Sequence, residues 1–100
     1  REVEAALAAG RRPDREALAR ALGMSGKTLA RRLADERQSF RALVERTRRE
    51  LAYRLVLHER IALGEVASRT GFADQAAFGK AFRRWFGASP SALRARRRRA

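Results

Sequence analysis

The chain contains no cysteine, a single histidine and two prolines. Without cysteine there can be no disulfide, thiolate zinc site or thiol nucleophile, which is compatible with a reducing compartment. His58 has no second imidazole with which to share a metal, so neither a metal nor another cofactor is expected. The glycines are isolated and form no phosphate-cradling run. No apolar stretch approaches the roughly 20 residues needed to span a bilayer, and nothing resembles a signal peptide. An enzyme and a membrane protein are therefore both disfavoured, and a cytoplasmic location is expected. Lysine is scarce too: of 24 Lys plus Arg, all but Lys27 and Lys80 are arginine.

What is present points the other way. Hydrophobic residues make up 45% of the 100 residues, ordinary for a globular domain and too many for a basic disordered tail. One small domain is the most such a length supports. Only 11 Asp plus Glu oppose the cations, giving a net charge of +13. Arginine presents a planar fork of donors that matches phosphates and guanine edges, so a polyanionic partner is expected. The chain begins at Arg1 rather than Met, and is expected to be part of a longer protein.

Apolar spacing predicts an all-α chain of about seven helices, with no strand-like alternation. A short helix from Glu2 to Ala9 should end at Gly10 in the left-handed conformation, with Pro13 beyond it. Asp14 is placed to cap a helix over 15–22 that Gly23 closes, and Ser25 to cap the next, up to about Glu36. Ser39 should cap an uninterrupted helix from Phe40 to His58, roughly 28 Å long at 1.5 Å per residue. Leu63, Val66 and Ala67 predict a two-turn helix ended by Gly71. Phe78, Phe82 and Trp85 mark its successor, ended by Gly87. Ser89 and Pro90 open a last helix that runs out into Arg94 to Arg99.

Two of these segments repeat. Ala19 and Gly23 recur as Ala67 and Gly71 at an offset of 48, and the pair Leu29/Leu33 recurs as Phe78/Phe82 at an offset of 49. Each copy is a two-turn helix, a Gly-containing turn and a second helix. A small Ala permits close helix crossing and the Gly a positive φ, which is the helix-turn-helix pattern. A pseudo-symmetric bundle, with Ala and Gly serving packing alone, is the alternative.

The run Gly71-Phe72-Ala73-Asp74-Gln75-Ala76-Ala77-Phe78-Gly79-Lys80-Ala81-Phe82-Arg83-Arg84-Trp85-Phe86-Gly87-Ala88-Ser89-Pro90 resembles the signature of AraC/XylS transcriptional regulators, and Leu18 to Leu33 resembles that family's first helix-turn-helix. The resemblance extends from about Pro13 to Arg94. It implies that 1–100 is a homeodomain-like DNA-binding domain. The first unit would occupy 14–36, the linker helix 39–58, the second unit 62–87, and a short helix with a basic tail 89–100. It also implies that the second helix of each unit enters adjacent major grooves of double-stranded DNA, as the output domain of a larger regulator. RNA polymerase and an effector-binding or dimerisation domain before Arg1 are the further partners implied, in the bacterial nucleoid. The chain departs from the family pattern at Ala62 and Ala73, where Ser or Thr is common. Two caps of the second unit should then be weak, and that unit the looser one.

With Leu29 and Leu33 turned to the core, Lys27 and Arg31 fall on the opposite face with Ala34 beyond them. Arg31 can fork onto guanine O6 and N7, and Lys27 can reach guanine or a phosphate. Thr28 assists at the helix start, while Ser25 and Arg32 are expected to hold the backbone. In the second unit the same construction exposes Ala76, Lys80 and Arg83, while Gln75 projects from the helix start. Carried over from the family's contact positions, Gln75 and Lys80 are the base readers, with Arg83 and Arg84 on phosphates. The first unit should thus supply most direct readout. Phe72, Phe78, Phe82, Trp85 and Phe86 read as core rather than stacking platforms. Arg94, Arg96, Arg97, Arg98 and Arg99 read as a cationic tail, and Tyr53 and His58 as boundary residues. A nonspecific architectural DNA-binding protein or an RNA-binding protein is the competing reading, since charge alone would suffice for either.

Overall fold

The computed structural model describes residues 2–9 and 13–99; Gly10, expected to end the first helix, lies outside them. The described residues are all-α: α1 (Glu2–Ala8), α2 (Arg15–Ala21), α3 (Gly26–Asp35), α4 (Phe40–Tyr53), α5 (Leu63–Arg69), α6 (Gln75–Phe86) and α7 (Pro90–Arg99), with a π-helical turn at Arg54–His58 continuing α4.

Four helices start where the sequence places their caps. Asp14 accepts from Glu16 N at 3.0 Å, and Ser25 from Thr28 N, Ser39 from Ala42 N and Ser89 from Ala92 N, each at 3.1 Å. Each bond satisfies a donor that the helix cannot, a contribution of about 1 kcal/mol. Ala62 precedes α5 with no side-chain cap, as expected. Ala73 requires a correction, because it is not the cap of α6. Asp74 is, and its carboxylate accepts from Ala77 N at 2.8 Å.

The duplication explains this displacement. Gly23 (φ +73°) and Gly71 (φ +84°) end α2 and α5 in the same left-handed conformation. The next residues, Met24 and Phe72, donate their amides back to Ala19 O and Ala67 O, each at 2.9 Å. The two turns share the same backbone bonds up to that point. Ser25 follows Met24 at once, whereas Ala73 intervenes between Phe72 and Asp74. Ala73 is thus the one extra residue of the second turn, and it passes the cap to its neighbour.

The long helix is continuous through His58, but its last turn is wider than α-helical geometry allows. Glu59 N donates to Arg54 O at 3.0 Å, five residues back. The widened turn lets Leu55, Val56 and Leu57 all be buried in succession, which a regular helix, rotating 100° per residue, does not do on one face. Widening also leaves carbonyls needing partners, and α7 supplies one. Arg94 Nε donates to Val56 O at 2.9 Å, and its Nη2 donates to Ile61 O. Arg94 is therefore an internal cap rather than part of a tail. Arg96 and Arg97 sit within helical α7; the side chains of Arg98 and Arg99 lie outside the described residues.

The main core belongs to the second half of the chain. Leu51, Ala52, Leu55, Val56, Leu57, Val66, Ala67, Phe78 and Phe82 form one buried cluster, with Phe72, Trp85, Phe86 and Leu93 packed against it. Burying each phenylalanine contributes about 1.5–3 kcal/mol. The first unit packs differently: α2 and α3 lie on each other, and α1 joins α2 to α4 and α5. Against the expectation of a looser second unit, the one missing cap there, at Ala62, is set against this shared aromatic core.

Candidate nucleic-acid interface

The interface rests on the two helices that follow the glycine turns. In α3, Leu29 is buried and Leu33 half-buried, while Lys27, Arg31, Arg32 and Ala34 are exposed. None of those three cations makes an ion pair among the described residues. The face carries positive charge that nothing in the described fold neutralises. The two hydroxyls at its start are partly committed. Ser25 Oγ accepts from Thr28 N and donates to Thr28 Oγ1 at 3.0 Å, so both functions of that hydroxyl act within the cap. Thr28, half-buried, keeps its own hydroxyl proton to donate.

In α6 the apolar face is stricter: Phe78, Ala81 and Phe82 are buried, and Gln75, Ala76, Lys80, Arg83 and Arg84 are exposed. Lys80, Arg83 and Arg84 line an open groove of about 460 Å³ with Gly79 and Ser89. Lys80 and Arg83 are unpaired among the described residues. Arg84 instead reaches back to Glu45 of α4 at 3.5 Å. Gln75 lies beside α5, its Oε1 being 3.7 Å from where a β-carbon on Gly64 would stand. The structure thus places Lys27, Arg31, Gln75 and Lys80 on two exposed helix faces, and gives Ser25 and Arg84 partners inside the fold.

A positioning device escaped the apolar spacing. Glu45 Oε2 accepts from Trp85 Nε1, Arg84 approaches the same oxygen, and Arg48 lies 4.0 Å from Oε1. Arg48 also stacks over Phe72, 4.8 Å from the ring centre, with its Nε buried and unpartnered. Together these contacts fix the orientation of α6 on the linker helix. A signal did exist: the N–H of a core tryptophan needs an acceptor, but nothing in sequence says which carboxylate supplies it. Among the described residues no three His, Asp or Glu side chains gather as metal ligands. No helix among them is long and apolar enough to cross a membrane.

A family profile described as a helix-turn-helix domain matches residues 18–96. The chain belongs to the AraC-type helix-turn-helix family. It is similar to the transcriptional regulator VirS of Mycobacterium tuberculosis, 40% identical over 80 residues that make up 80% of this chain and 24% of VirS. It is also similar to the transcriptional regulator VqsM of Pseudomonas aeruginosa, 38% identical over 76 residues, 76% of this chain and 23% of VqsM. The chain therefore spans about a quarter of the length of these relatives. Among solved structures, the DNA-binding domain of AdpA, a global transcriptional factor crystallised with a target DNA, is 35% identical with a TM-score of 0.68. The match covers 97% of this chain and 90% of that one. The fold described above is thus that of an AraC-type DNA-binding domain.

Proposed function

We propose that this chain is the DNA-reading output module of a larger transcriptional regulator. It recognises a bipartite double-stranded site, with α3 and α6 in successive major grooves on one side of the duplex. The observation that carries this reading is the duplication itself. Two copies of one capped helix-turn-helix are joined by a single long helix, and each presents cations on the face away from its core. The linker, roughly 28 Å over nineteen residues, suits the ~34 Å repeat of the duplex.

In this reading the first unit, 14–36, reads bases through Lys27, Thr28 and Arg31 and holds phosphates through Arg32, the Ser25 hydroxyl being committed to the cap. The second unit, 62–87, contributes Gln75 and Lys80 to bases and Arg83 and Arg84 to phosphates. Residues 39–58 set the distance between them, and 89–100 close the domain. The regulator as a whole works in the cytoplasm on nucleoid DNA, engages RNA polymerase, and carries an effector-binding or dimerisation domain before this segment. The module itself performs no catalysis.

Selection of binding sites from random duplex DNA at fixed salt tests the reading, with the best site then titrated against a scrambled one. Salt is held constant because counterion release alone shifts affinity by orders of magnitude. Two short preferred blocks about one helical turn apart are expected. Recovery of no preferred sequence would overturn the proposal in favour of an architectural or RNA-binding protein.

A further inference from the structure

The end of the linker helix meets α7 around a cavity of about 190 Å³ lined by Val56, Leu57, Arg60, Arg94 and Arg97. None of these residues comes from α3 or α6, so the cavity is separate from the two reading faces. Three of its five lining side chains carry guanidinium groups. Arg94 is held in place by its bonds to Val56 O and Ile61 O. Arg60 and Arg97 are exposed, and neither makes an ion pair among the described residues. The adjacent carboxylate, Glu59, is turned to Arg54 at 3.1 Å.

The backbone at Arg60 adds a second observation. Its φ of +53° lies in the left-handed region, which Gly23, Gly71, Gly87 and, away from this cavity, Arg37 (φ +57°) also adopt. That conformation costs an L-residue about 1–2 kcal/mol. The strained residue is also one of the two unpaired cations of the cavity.

We propose that Arg60, Arg94 and Arg97 form a binding site for a phosphate group, distinct from the reading faces of α3 and α6. Guanidinium donors match phosphate oxygens in paired geometry, and the cavity has room for one tetrahedral anion rather than a nucleotide. The phosphate could be a free one or a phosphodiester of DNA flanking the bases read.

The double variant Arg60→Gly/Arg97→Ala separates these sources. Glycine suits the left-handed backbone and alanine suits a helix, so the variant should unfold at or above the wild-type temperature. A second variant, Arg41→Ala/Arg46→Ala, removes the same charge from exposed positions of α4. Inorganic phosphate is titrated into all three proteins by calorimetry at constant ionic strength. The affinity of each for its selected duplex is then measured across salt concentrations.

Saturable phosphate binding that weakens at least roughly tenfold in the Arg60/Arg97 variant, but not in the α4 variant, supports the site. If the salt slope of DNA binding is then unchanged, the phosphate is a free one. A fall in that slope by about one unit in the Arg60/Arg97 variant identifies a DNA phosphodiester as the occupant, with or without binding of inorganic phosphate. No difference between the Arg60/Arg97 variant and wild type in either measurement overturns the proposal. The phosphate titration does not depend on DNA binding, so it can fail or succeed independently of the function proposed above.

Discussion

The indole N–H of Trp85, in the last turns of α6, donates to the carboxylate of Glu45 in α4 at 3.2 Å. This bond joins α6 to the linker helix, and Arg84 and Arg48 approach the same carboxylate. Because Trp85 is part-buried, removing the acceptor leaves a donor that water reaches poorly. Glu45→Ala should cost about 1–2 kcal/mol, read from urea denaturation followed by tryptophan fluorescence. An unchanged midpoint would mean that the aromatic packing alone holds α6 in place.

The two turn glycines should not tolerate substitution equally. Both have positive φ, but a β-carbon on Gly23 would meet nothing within 4 Å, whereas one on Gly71 would stand 2.6 Å from Leu7 Cδ2. Gly23→Ala should cost about 1–2 kcal/mol from backbone strain alone. Gly71→Ala should cost more, because Leu7 must also move. Equal losses in thermal denaturation would show that α1 shifts freely over the turn.

The helix starts offer a pair of opposite effects. Asp74→Ala removes the cap of α6 and should cost about 1 kcal/mol. Ala62→Ser supplies a missing hydroxyl at the start of α5, with Glu65 three residues on to complete a reciprocal cap, and should gain about 0.5–1 kcal/mol. Chemical denaturation of the two variants beside wild type checks both signs.

Substitutions on the reading faces should separate specificity from affinity. Arg31→Ala should relax preference at one position of the first block, changing discrimination there by about 1–3 kcal/mol. Arg83→Ala should weaken selected and scrambled duplexes alike and lower the salt slope by about one unit. Titrations of both duplexes at several salt concentrations distinguish the two behaviours. Selective loss on Arg83→Ala would move that residue from backbone to base contact.

Much of the fold was legible because local chemistry and global packing agree over most of the chain. Asp14, Ser25, Ser39 and Ser89 are short polar side chains immediately before apolar-periodic segments, and each caps the helix it precedes. The duplicated Ala and Gly fixed the two turns. Three features were hidden. The wide turn at Arg54–His58 leaves no mark in composition, since no Gly or Pro interrupts it. The extra residue in the second turn could be counted but not placed, and only the amide bond from Phe72 to Ala67 places it at Ala73. Arg94 looked like one more tail cation because its acceptors, two backbone carbonyls, carry no sequence signal. The exposed faces of α3 and α6 followed from helical period, but the bond of Arg84 to Glu45 did not.

Similarity to the helix-turn-helix family begins at residue 18, inside α2, yet Val3, Ala6 and Leu7 of α1 are buried. Leu7 reaches across to the glycine turn of the second unit, while α1 also rests on α2 and α4. A fragment cut at the start of the recognisable segment would keep α3 and α6 whole and lose the wedge between the two units. The smallest piece that folds as this domain does is therefore longer than the piece by which its family is recognised.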